Sequence, residues 1–220
     1  MNRLLEIRYC SLFSYCPRSS SEKGELAKKV MKAIKNELPV KSKLGEMFAS
    51  EFVVETLKET IRDDSDFREF IGRNPILIPV PRHFPIKRDY LWPSFQIAKA
   101  MEKENLGVVK PLLERIKVVS RSSLSPPGSR PSPITHYRSM TIKRVSLMSQ
   151  EIILVDDIIT RGHTFIASAW YIHEVFPDAQ VKAFAAMRTI SNESEFKRLI
   201  DPVIGKIKYR PIYDDCLRRP

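Results

Sequence analysis

The sequence predicts an α/β protein: an open, mostly parallel sheet flanked by helices, with a helical segment at its N-terminus. Three observations carry this reading. Ile152–Val155 is an unbroken aliphatic run, the pattern of a central parallel strand buried on both faces. A helical pattern at Thr164–Val175 and a second buried strand at Val181–Met187 follow it, and strand, helix and strand at this spacing make a βαβ unit. The proline-flanked apolar run PILIPVP, Pro75–Pro81, reads as an earlier buried strand that ends in a turn.

The other elements follow in order. Ser21 precedes a run with Leu26, Val30, Met31, Ile34 and Leu38 near helical spacing and lysines on the other side, a helix that Pro39 stops. A second helical pattern covers Leu44–Arg62, with Met47, Phe48, Phe52, Val54, Leu57 and Ile61 apolar. These two helices define an N-terminal, mainly helical segment, residues 1–70, packed on an α/β core of residues 71–220. Within the core, Trp92–Glu102 reads as a helix with Pro93 in its first turn. Trp92 and Gln96 are expected to pack rather than bind. Leu112–Val119 and Thr141–Leu147 are weak strand patterns, and Ser120–Met140, rich in Ser, Pro and Arg, reads as one long loop.

Composition bounds the rest. A chain of 220 residues, 43% hydrophobic and 29% charged, can bury a core without metal or disulfide staples and is not disordered throughout. No apolar run approaches the roughly 18–20 residues of a membrane span, and the N-terminus lacks a secretory pattern, so the expectation is a cytoplasmic protein with no membrane partner. Cys10, Cys16 and Cys216 lack zinc spacing and read as free thiols. The net charge of +11 splits unevenly. Residues 1–50 hold 10 basic and 5 acidic side chains and residues 111–150 hold 7 and 1, while residues 51–110 and 151–220 each hold 10 and 10. Such an excess points to a polyanion, such as a nucleic acid, an anionic membrane surface or a phosphorylated small molecule.

The densest chemistry lies at Ile153–Thr164, ILVDDIITRGHT. An aliphatic strand reaches two carboxylates, then Thr160-Arg161-Gly162-His163-Thr164 opens a helix. Ligands of open α/β sheets bind at the carboxyl ends of strands. A helix N-terminus offers unpaired N–H groups and partial positive charge, a natural cradle for phosphate. Asp156 and Asp157 are too acidic to hold that phosphate, and suit the hydroxyls of a sugar or a divalent cation beside it. A phosphate next to a diol describes a ribose 5-phosphate compound.

At these residues the sequence resembles the type I phosphoribosyltransferases, and within them the ComF-like branch, whose Pro-Val-Pro segment matches Ile78–Pro81 here. The resemblance implies binding of phosphoribosyl pyrophosphate (PRPP) with Mg2+ and transfer of the phosphoribosyl group to or from a nitrogen base, with pyrophosphate released. It assigns the ribose hydroxyls, and indirectly the Mg2+, to Asp156 and Asp157, with Asp157 the first candidate for general base. It assigns the 5-phosphate to Thr160, Arg161, Gly162, His163 and Thr164. Arg161 and His163 depart from the usual Thr/Ser-rich pattern. Arg82, His83, Lys87 and Arg88 become candidate pyrophosphate contacts. Ser120–Met140 becomes a hood closing over the ligand, with Arg121, Arg130, His136, Tyr137 and Arg138 able to reach pyrophosphate. The N-terminal segment and the tail Tyr209–Pro220 are candidates for recognising the base, whose identity the sequence leaves open. Dimers are common in the family, so a homodimer is implied. The alternative is a PRPP-sensing regulator or a nucleic-acid-binding accessory protein of DNA uptake, for which the basic N-terminal fifty residues are the compositional argument.

Overall fold

The computed structural model describes residues 3–43, 45–86, 89–120, 130–145 and 150–220. In chain order these form β1 (Glu6–Tyr15), α1 (Glu22–Asn36), β2 (Pro39–Ser42), β3 (Gly45–Phe48), α2 (Ala49–Asp63), α3 (Ser65–Ile71), β4 (Ile76–Pro79), α4 (Pro93–Lys103), β5 (Val108–Val109), β6 (Leu113–Arg115), α5 (Pro133–Arg138), β7 (Met140–Ile142), β8 (Glu151–Ile159), α6 (His163–Val175), β9 (Gln180–Thr189), β10 (Ile200–Arg210) and β11 (Asp215–Arg219). Seven strands make the main sheet in the order β11-β10-β1-β9-β8-β4-β5. The five from β1 to β5 in that order run parallel, and β10 and β11 add an antiparallel hairpin beside β1. The chain is thus α/β with a mostly parallel central sheet, helices covering both faces. No helix among the described residues is long and apolar enough to cross a membrane.

Alternation along the strands divides the core. Ile153, Val155, Phe184 and Ala186 face α1 to α4, while Ile152, Leu154, Ala183 and Ala185 face α6 and its neighbours. The β8–α6–β9 unit is present as the sequence predicts, except that β8 runs on through Asp156 and Asp157 to Ile159. Several other elements do not. Residues 6–15, unassigned at the head of the helical segment, form β1, a strand inside the sheet between β10 and β9. Nearly every β1 side chain from Ile7 onward is buried, Ser11 and Ser14 included, so polar residues hide the apolar signature expected of a central strand. The helix at Leu44–Arg62 starts later, at Ala49, because Pro39–Ser42 and Gly45–Phe48 pair as β2 and β3. In α1 the buried stripe is Gly24, Ala27, Val30, Ala33 and Ile34, leaving Leu26 and Leu38 about half exposed. Small residues on that stripe let the helix lie close to its neighbours.

The expected loop Ser120–Met140 contains α5. Ser132 accepts the Thr135 N–H as N-cap and Pro133 follows, two helix-start signals the loop composition masked. The strand expected at Leu112–Val119 shrinks to β6, which pairs with β7. The tail Tyr209–Pro220 supplies the end of β10 and β11. The three cysteines are buried and unpaired.

Candidate functional site

The site begins where the sheet splits. β4 leads through α4 to β5 on one side, β8 leads through α6 to β9 on the other, and β4 and β8 are neighbours. This is a topological switch point, where connections diverge and leave a crevice at the strand ends. The sequence enforces the gap. β4 pairs with β8 as far as Pro79 and Val155, Val80 N–H donates to Val155 O at 2.9 Å, and Pro81 has no N–H to continue the ladder. β8 continues along β9 to Ile159, so Asp156 and Asp157 lie within its last turn of pleat and face a cleft rather than another strand. Trp92 Nε1 and Ser94 Oγ both donate to Val80 O, at 2.8 and 2.7 Å, and fix the start of α4 against that end of β4. Trp92 also stacks on Phe95, in the packing role its sequence context suggests.

The cleft measures about 370 Å3 and is lined by Tyr15, Lys35, Asn36, Arg82, His83, Arg115, His136, Asp156, Asp157, Thr160 and Thr164, among others. A smaller recess of about 80 Å3 adjoins it at the start of α6, lined by Arg130, Thr160, Arg161, Gly162, His163 and Thr164. The two share Asp156, Ile158, Thr160 and Thr164. Burial and the neighbouring Asp157 carboxylate push the Asp156 carboxyl well above its usual range, only partly offset by the Arg115 charge. Asp156 Oδ1 accepts the Asp157 N–H and Asp157 Oδ1 accepts the Ile158 N–H, each at 2.9 Å, so local backbone donors orient both side chains.

Arg115 is 5% exposed and organises one wall. Its Nε donates to Arg82 O at 2.7 Å, Nη1 to His136 O at 3.2 Å and to Ser139 Oγ, and Nη2 meets His136 Nδ1 at 3.5 Å. A guanidinium can only donate, so Nδ1 accepts and Nε2 carries the proton. That Nε2 is buried, has no partner among the described residues, and belongs to a side chain 4% exposed that lines the cleft. Burial, then the Arg115 and His163 charges, push the His136 imidazole down to about 3, so it stays neutral. A buried donor left without a partner costs free energy unless a ligand satisfies it.

The turn after β8 is set by geometry. Gly162 has φ +89°, and a Cβ there would sit 2.7 Å from Ile207 Cγ2 of β10. The close approach that glycine permits is thus to the protein's own β10. Gly162 offers α6 no side-chain cap, leaving the first-turn N–H groups without side-chain satisfaction from that residue. The two atypical residues of the motif are engaged with the C-terminus. Arg161 Nη1 donates to Asp215 Oδ1 at 3.1 Å, His163 Nε2 lies 2.7 Å from the same oxygen, and Arg210 Nη2 binds Asp215 Oδ2. Burial alone would raise the Asp215 carboxyl, but hydrogen bonds from His163, Arg210 and Arg161 hold it well below the usual carboxylate range.

Of the sequence candidates, Arg82, His83, His136, Asp156, Asp157, Thr160 and Thr164 meet in the cleft, and Arg130, Arg161, Gly162 and His163 in the recess. Tyr137 and Arg138 line neither. Tyr137 OH donates to Glu174 at 2.8 Å and its ring stacks 4.3 Å from Tyr171, and Arg138 is exposed on α5. Lys87, Arg88 and Arg121 lie outside the described residues. Sequence reasoning missed Tyr15, Lys35, Asn36, Arg115 and Asp215. For Arg115 a signal existed: alternation through Leu113-Glu114-Arg115 puts the arginine on the buried side, where an unpaired charge is rare. Among the described residues no group of three or more His, Cys, Asp or Glu converges as a metal cage. Mg2+ often uses one or two carboxylates plus phosphate oxygens and water, so the Asp156–Asp157 donor set fits an ion that arrives with its ligand. No protein-family model and no curated protein matches the chain.

Proposed function

We propose that the cleft binds PRPP and that the protein is a phosphoribosyltransferase of the type I kind, moving the phosphoribosyl group between pyrophosphate and a nitrogen base. The observation that carries this is the adjacency of two compartments at the switch point: an acid pair suited to a sugar diol, and beside it a phosphate-sized recess at an uncapped helix start. The unpartnered His136 Nε2 supports a ligand in the larger compartment. In this reading Asp156 and Asp157 take the ribose hydroxyls, Thr160 and Thr164 with the first N–H groups of α6 take the 5-phosphate, and Arg82, Arg115 and His136 face the pyrophosphate. Bound Mg2+ would neutralise charge on the pyrophosphate as it leaves. In this reading Asp157 accepts a proton from an incoming base, which lies against the walls near Tyr15, Lys35 and Asn36.

The test is calorimetry with PRPP and Mg2+ on the wild type and on the double variant Asp156→Asn, Asp157→Asn. Binding that disappears in the double variant supports the reading, and unchanged affinity removes it. A screen for PRPP-dependent pyrophosphate release across purine and pyrimidine bases then separates a transferase from a regulator that binds without turnover.

A further inference from the structure

The recess at the start of α6 raises a question about its charge. Its two motif side chains are committed elsewhere: Arg161 and His163 both face the Asp215 carboxylate, as does Arg210 of β10. Arg161 is half exposed. The strap at residues 130–132 is held differently. His163 Nδ1 donates to Pro131 O at 2.8 Å, so one imidazole ties the start of α6 to Asp215 through one nitrogen and to the strap through the other. Arg130, the residue before that proline, lines the recess together with Thr160 and Thr164. Its Nε is buried and has no hydrogen-bond partner among the described residues, and its charge acts on the Tyr15 phenol. A guanidinium beside threonine hydroxyls and helix N–H groups, its own Nε unsatisfied, is an incomplete anion site.

We infer that Arg130 is the cation that binds the phosphate of the ligand in this recess, and that Asp215 is a positioning residue that holds Arg130 in place through His163 and the Pro131 carbonyl. The inference rests on the phosphoribosyl reading and deepens it. It moves Arg130 from the pyrophosphate to the terminal phosphate, and it makes β11 part of the binding site. The guanidinium also selects a dianionic phosphate monoester over a neutral sugar.

The experiment is calorimetry on the full chain with ribose 5-phosphate, PRPP and unphosphorylated ribose as probes. Arg130→Gln is expected to weaken ribose 5-phosphate and PRPP by tenfold or more, and Arg130→Lys to recover part of that. Asp215→Asn is expected to weaken ribose 5-phosphate in the wild-type background and to add nothing in the Arg130→Gln background, a non-additivity that simple loss of stability does not produce. Thermal unfolding of each variant confirms that a folded protein is measured. If the wild type binds PRPP and Arg130→Gln binds both phosphates as well as wild type, this inference falls and the phosphoribosyl reading stands. Losses from Asp215→Asn and Arg130→Gln that simply add remove the positioning role. If the wild type binds neither phosphate, both fall.

Discussion

Gly162→Ala is the substitution for which the structure gives the most explicit expectation. Two separate penalties apply. Position 162 has φ +89°, and an L residue in left-handed backbone costs about 1–2 kcal/mol. The added methyl also lies 2.7, 2.8 and 3.0 Å from Ile207 Cγ2, Cδ1 and Cγ1. Ile207 is fully buried, so its side chain cannot retreat into solvent, and overpacking of this kind costs about 1–3 kcal/mol. Together they predict a loss of about 2–5 kcal/mol, or roughly 4–20 °C in Tm at about 2–4 °C per kcal/mol for a chain of this size. Urea unfolding followed by circular dichroism measures it. The two penalties separate in a double-mutant cycle with Ile207→Ala. That change alone should cost about 2–5 kcal/mol through its cavity, yet the double variant should be more stable than the sum of the singles by about 1–3 kcal/mol, because the new methyl fills part of the space. Additive effects would refute the packing argument, and an unperturbed Tm in Gly162→Ala would refute both. Any ligand at the start of α6 should bind more weakly to Gly162→Ala, since relief of the clash moves that turn away from β10.

Further outcomes concern protons. His136 is pushed down to about 3 by burial while an unfolded histidine titrates near 6.5, so between those values the unfolded chain takes up a proton that the folded one refuses. Its contribution to stability is therefore lost as pH falls from about 6.5 toward 3, by up to about 1.4 kcal/mol per pH unit, and His136→Gln should flatten that part of the stability–pH curve relative to wild type. Asp156 acts in the opposite sense. Its raised carboxyl binds its proton more tightly in the folded chain, so stability falls as pH rises above the unfolded value near 3.9. Asp156→Asn should then raise Tm at pH 7 while it removes PRPP binding, and a lowered Tm would show that the pair is not strained as described.

What could be read in the sequence and what could not divide along physical lines. The βαβ unit, the strand at β4 and the ILVDDIITRGHT turn were legible because each is written in contiguous residues: an unbroken aliphatic run, prolines that end a ladder, and a glycine placed where the chain must take a positive φ. The +6 excess of residues 111–150 was also legible, and the structure brings Arg115 and Arg130 from that stretch to the cleft and its recess. Tertiary structure alone decided the rest, because those contacts join residues far apart in the chain. β1 joins the sheet between β9 and β10, although its buried serines give no local sign of a central strand. His136, drawn from a stretch that reads as loop, sits on a short helix and is fixed by a buried arginine at position 115. The Asp215 carboxylate, over fifty residues beyond the motif, takes up Arg161 and His163, the two residues by which that motif departs from the pattern it resembles. Local sequence sets backbone preferences and periodicity, whereas which charges meet depends on sheet order and register, which only long-range packing determines.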